Sequence, residues 1–118
     1  MQETRMVKKQ HIEIDKDVLE RMQTYCSENK ISQEEFLEIV MAYGIHFIKS
    51  NNALHYSKFP VLHVHPVPLE IQIKSKIFNS FKLEVQNNKL QLNEVLTMMV
   101  ALILDIEDQR YTYLKTGL

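Results

Sequence analysis

A few groups of residues in this 118-residue chain are of types that do chemistry. In "KKQHIEID", Lys9, His11 and Glu13 alternate. If that segment is extended, a donor, a donor-or-acceptor and an acceptor share one face. Glu70 and Gln72 alternate in the same way in "LEIQIK". The "HVH" pair, His63 and His65, would set two imidazoles on one face of a strand as metal ligands, with His55 upstream. Cys26 is the single thiol, and Glu34, Glu35 and Glu38 are close enough in sequence for acid–base work. Most of these read as structural. No second cysteine or carboxylate cluster accompanies the histidines, so they read as a surface loop and no metal is expected. Cys26 falls at helical spacing among Val18, Leu19 and Met22 and reads as core. The three glutamates read as a solvated helix flank. With no nucleophile beside a base, catalysis is not expected, and neither is a cofactor.

The elements that position Lys9, His11 and Glu13 follow from a change of period. Ile12 and Ile14 alternate with them, a strand over about 8–14. From Asp15 onward the apolar residues recur at helical spacing, with no turn between. One short strand cannot satisfy its own backbone, so a partner is required. A shift of 59 residues supplies it. Between positions 12 and 48 only seven pairs are identical, but 16 of the 18 apolar positions in the first copy meet apolar residues in the second. The partner strand is then about 69–73. It is expected to be the shorter, because Pro68 stands where the first copy has Lys9 and lacks a backbone donor.

Each copy reads as strand, helix, helix: 8–14, 16–29 and 33–49, then 69–73, 75–88 and 92–108, with a linker over 50–67. Asp15 is the candidate N-cap of the first helix. Asn29 and Asn88 end the first helices, where asparagine tolerates the left-handed conformation. In "ISQEEF", Ser32 and Glu35 form a capping box, and Ile31 and Phe36 have the spacing of a hydrophobic staple. The second helices are apolar nearly all round and should pack together in the centre. In the linker "VLHVH" alternates, which allows a short extra strand.

Composition bounds the function. Net charge is −1, so bulk charge gives no support to nucleic-acid binding. The longest apolar run, "VLTMMVALIL", is short of the roughly 20 residues that span a bilayer. No apolar leader opens the chain, and a lone cysteine fits a reducing compartment, so a cytoplasmic protein without membrane partners is expected. Two glycines exclude a phosphate-cradling glycine loop.

The strand running directly into a helix, the "NKIS" turn and the capped second helix, on Ile12, Ile14, Asp15, Val18, Leu19, Met22 and Phe36 to Val40, resemble the ribbon-helix-helix transcription regulators. Two copies in one chain resemble the tandem regulators of archaeal viruses, which would place the protein in the host cytoplasm. The resemblance implies a mainly α fold with a two-stranded antiparallel β-ribbon, paired within the chain as a pseudo-dimer. It implies sequence-specific binding of double-stranded DNA with the ribbon in the major groove. The implied base-reading residues are Lys9, His11, Glu13, Glu70 and Gln72. The implied phosphate contacts are Arg5, Lys8, Ser32, Gln33 and Lys74, with Gln91 and Asn93 matching the helix start in the second copy. Such proteins bind operators as adjacent copies, so self-association is expected, at least on DNA, with Phe59, Val61 and Leu62 as candidate contacts. The alternative is a protein-interaction module, antitoxin-like or an assembly protein, on the same fold.

Overall fold

Alternation over Val7–Asp15 (β1) and Pro66–Lys74 (β2) produces two nine-residue strands that pair antiparallel within the chain. The computed structural model describes residues 7–50 and 65–116, without the side chains of 108–116. The order is β1, α1 (Lys16–Asn29), α2 (Gln33–Ser50), β2, α3 (Ser75–Asn87) and α4 (Leu92–Thr116). The protein is mainly helical, with one two-stranded sheet among the described residues. None of its helices there is long and apolar enough to cross a membrane.

The strand register shows how the two halves are related. Val7 faces Lys74 at one end and Asp15 faces Pro66 at the other. Residues 7 and 66, like 15 and 74, are 59 apart, so exchanging the halves maps the ladder onto itself. His11 and its equivalent Glu70 face each other at the centre.

β2 is as long as β1 and contains two prolines, against the expected 69–73. Pairing geometry explains why. The Glu13 N–H, opposite Pro68, points away from β2 and donates to Asn93 Oδ1 at 3.0 Å. That pair is therefore a non-hydrogen-bonded one, as is Asp15 with Pro66. Proline there gives up no ladder bond.

The underside of the sheet seals the core. Ile12, Ile14, Ile71 and Ile73 are all at most 2% exposed. Beneath them lie Met22, Leu37, Val40 and Met41 of the first half and Phe81, Val85, Leu96 and Val100 of the second. The halves interleave: α2 packs on α3 and α4, α4 lies along β1, and α2 lies along β2. Glu38 and Thr97, equivalent positions on α2 and α4, do the same job. Thr97 Oγ1 accepts from the Asp15 N–H at 3.4 Å, and Glu38 Oε2 accepts from the Lys74 N–H at 3.1 Å. Each pins the last residue of the other half's strand. Glu38 is thus a half-buried edge partner for β2, not a member of a solvated flank.

Both α1 and α3 end at a left-handed residue, but it is lysine rather than asparagine: Lys30 at φ 56° and Lys89 at φ 58°. The Ile31 N–H reaches back to Cys26 O and the Leu90 N–H to Val85 O, both at 3.0 Å. Those are the six-to-one bonds of a Schellman ending. The asparagines cap differently. Asn29 Nδ2 donates to Tyr25 O and Asn88 Nδ2 to Glu84 O, each at 2.9 Å, satisfying carbonyls one turn back.

Cys26 is buried at the end of α1. Burial pushes its thiol pKa up, and the Glu34 carboxylate adds to the shift. The thiolate is the reacting species, so alkylation by iodoacetamide at pH 8 should be slow in the folded chain and become fast in denaturant. Because the folded pKa is raised, the thiol's contribution to stability is complete below its ordinary pKa. It is lost as pH climbs above that value. Fast alkylation under native conditions would contradict the burial.

Candidate nucleic-acid interface

The same alternation that buries four isoleucines turns Lys9, His11, Glu13, Glu70 and Gln72 outward, all exposed. The ladder brings them together in pairs across the strands, Lys9 with Gln72 and His11 with Glu70, while Glu13 faces Pro68. They alternate with the residues of the underside and share the non-hydrogen-bonded positions, where facing side chains approach most closely. Nine paired residues make a ribbon about 27 Å long, and a two-stranded ribbon fits a major groove about 12 Å wide.

The electrostatics of this face centre on Glu70. Its Oε2 lies 3.8 Å from Lys9 Nζ and 3.7 Å from His11 Nε2. All three side chains are half or more exposed, so the pairs contribute little to stability. Their consequence is positional. The carboxylate at the midpoint of the ribbon stands near both donors, close to the outer limit of an ion pair and for His11 only when the ring is protonated, and an incoming acceptor competes with it. Gln72 presents both an amide donor and an acceptor beside Lys9, the set that matches an adenine edge. Lys9 can donate to guanine, and Glu13 can accept from a cytosine amine.

The residues expected at phosphates are more scattered. Arg5 lies outside the described residues. Lys8 is exposed but falls on the underside row, opposite Ile73. Ser32 is consumed by its capping box: its Oγ accepts from the Glu35 N–H at 3.0 Å, and its own N–H donates to Glu35 Oε1 at 3.3 Å. A carboxylate therefore already occupies the place where an anion would meet the start of α2. Gln33 opens that helix, half-buried beside Glu34. Asn93 is turned to the β1 edge by its bond from Glu13, and Gln91 is exposed just before α4. Lys74 ends β2 with its Nζ 3.9 Å from Glu38 Oε1.

Asp15 is the N-cap of α1 and a junction besides. Its Oδ2 accepts from the Asp17 N–H at 3.2 Å, and its Oδ1 from the His65 N–H at 3.0 Å. That bond ties the start of the second half to the first. His55 and His63, the alternating 61–64 and the apolar Phe59, Val61 and Leu62 lie outside the described residues. Among the described residues no three His, Cys, Asp or Glu side chains are grouped to hold a metal ion.

Sequence reasoning missed Lys49 and Lys76, which join Lys74 around one groove at the end of β2. Their signal was available in the repeat, since Lys74 and Lys76 match Asp15 and Asp17. No family model, no curated protein and no solved structure matches the chain.

Proposed function

We propose that the protein is a sequence-specific, double-stranded-DNA-binding transcription regulator of the ribbon-helix-helix type. Two motifs in one chain would act as a pseudo-dimer and place the outer face of the ribbon in the major groove. One observation carries this reading: a nine-pair antiparallel ribbon with a sealed apolar underside and five exposed hydrogen-bonding side chains on the other face. A solvated sheet face is polar in any case; what favours DNA is that Lys9, Gln72 and Glu13 are the types that match base edges on a ribbon sized for the major groove.

In this reading Lys9, His11, Gln72 and Glu13 meet base edges and Glu70 is displaced or bridges. Lys8, Lys74 and Gln33 lie toward the backbones. The two strands differ in sequence, so a single ribbon reads an asymmetric half-site. A few base pairs are too little for a genomic site, so chains would bind side by side.

The test is binding to random and promoter-derived duplexes across a salt series, with footprinting on the selected sequence. Protection of a defined site, preferred over random duplex by at least about a thousandfold, is the expected result. Equal and weak retention on all duplexes would remove the regulator reading and leave the protein-interaction module in its place.

A further inference from the structure

β1 runs into α1 and β2 runs into α3, and the strands are antiparallel, so α1 and α3 begin at opposite ends of the ladder, roughly 27 Å apart. Each end has a surface groove. At the β2 end, Lys49, Lys74 and Lys76 surround Ile45 and Ile77. At the β1 end, Asp17, Glu20 and Glu28 surround Leu104 and Tyr25, with Arg21 among them. The grooves overlap in place, since Leu104 matches Ile45, Asp17 matches Lys76 and Arg21 matches Ser80 at the 59-residue offset, while the acidic groove runs further along α1 to Glu28. Their charges are reversed. Lys76 matches Asp17, while Lys74 matches Asp15, which is buried as the α1 cap and lies outside the acidic groove. Helix α1 carries one net negative charge, Lys16 and Arg21 included, and α3 with Lys74 carries two net positive charges.

Partners within the chain leave this contrast standing. Lys49 and Lys74 lie 3.9 Å from Glu84 and Glu38, at the outer limit of an ion pair, and remain 62% and 57% exposed. Lys76 is exposed, as are Asp17, Glu20 and Glu28. Arg21 is turned to Asp105 at 2.8 Å.

We propose that the basic groove of one molecule docks on the acidic groove of a second copy of this chain, head to tail. Opposite charge around a small apolar floor on each side favours this pairing, and like ends repel. The contact is heterologous, so its repetition builds a row of molecules with one polarity wherever the rotation between neighbours does not close a ring. It gives a surface and a direction to the self-association proposed above. The contact itself needs no DNA, so its failure is distinguishable from failure of the ribbon as a reading face.

The experiment is sedimentation velocity of the full chain without DNA, over a concentration and salt series. The parent should associate at low salt and dissociate as salt rises. Lys49→Glu with Lys76→Glu leaves two acidic ends, and Asp17→Lys with Glu20→Lys leaves two basic ends. Each variant alone should associate at least about tenfold more weakly, and an equimolar mixture should recover most of the loss. Thermal melts check that both fold, and the milder Lys49→Gln with Lys76→Gln should fall between parent and reversal. A parent that stays monomeric, a folded variant that associates like the parent, or a mixture of folded variants that fails to recover overturns the proposal. So does a basic-groove variant that associates normally and loses affinity for every duplex, because the groove then serves phosphates.

Discussion

Phe81→Ala is expected to cost the fold about 3–5 kcal/mol, read as a lower denaturation midpoint with little change in slope. The ring is fully buried where α3 meets α2, and its contact with Gly44 shows how tightly the site is filled. A Cβ placed on Gly44 would stand 2.7 Å from Phe81 Cε1, 3.3 Å from Cδ1 and 3.6 Å from Met99 Cγ. For that Cβ to fit, a fully buried ring must shift. Gly44→Ala therefore sets a helix-propensity gain of about 1 kcal/mol against an overpacking cost of about 1–3 kcal/mol, and a net loss is expected. The other half solves the same problem with the sizes exchanged. At the equivalent positions Met22 replaces Phe81 and Ile103 replaces Gly44. Phe81→Met should accordingly relieve Gly44→Ala, and the double variant should be more stable than the two single losses predict by about 1 kcal/mol. Strict additivity in urea melts would mean that the ring and the glycine do not share space.

Lys9→Ala and His11→Ala should each cost about 1–3 kcal/mol on the preferred duplex and flatten the preference among sequences. Glu70→Gln should act in the opposite direction. Its carboxylate stands 3.7–3.8 Å from Lys9 and His11 and repels phosphate, so removing the charge leaves the outer face more positive. Tighter binding to all duplexes is expected, most at low salt. Lys8→Ala, on the underside row, should weaken all sequences about equally and make the salt slope shallower by about one. Titrations of each variant on matched specific and random duplexes separate these outcomes. If folded Lys9→Ala and His11→Ala bind the preferred duplex as the parent does, the outer face is not where sequence is read.

The cations proposed to meet phosphates were less legible in the sequence than the outward face of the ribbon, and the reason is physical. A strand fixes the face of every residue by parity, so which side chains turn outward from β1 and β2 follows from Ile12, Ile14, Ile71 and Ile73 alone. Parity also puts Lys8 on the underside, and it matches the alternation of "KKQHIEID" once the register is drawn. Which cations gather at one place is another matter. Lys49 and Lys76 are 27 residues apart in sequence and meet only because α2 packs on α3.

Local signals in the sequence determined the elements. The switch from period two to helical period at Asp15, the capping box of Ser32 and Glu35, and the 59-residue repeat place strands and helices with no long-range information. These depend on contacts among near neighbours, and the repeat adds the same pattern twice. Tertiary structure decided what depends on distant partners. The register put both prolines at positions that need no ladder bond, which lengthened β2 beyond the expected 69–73. Closing α1 with the six-to-one bond from Ile31 put Lys30, not Asn29, in the left-handed region. Antiparallel pairing set Glu70 between Lys9 and His11, and interleaved helices set Phe81 against Gly44. The register, the place of Glu70 and the Phe81–Gly44 contact are each fixed by residues far apart in the chain, and sequence spacing does not encode the direction or distance of such contacts; the Lys30 ending is a local bond, and there the left-handed residue is the lysine that follows the asparagine.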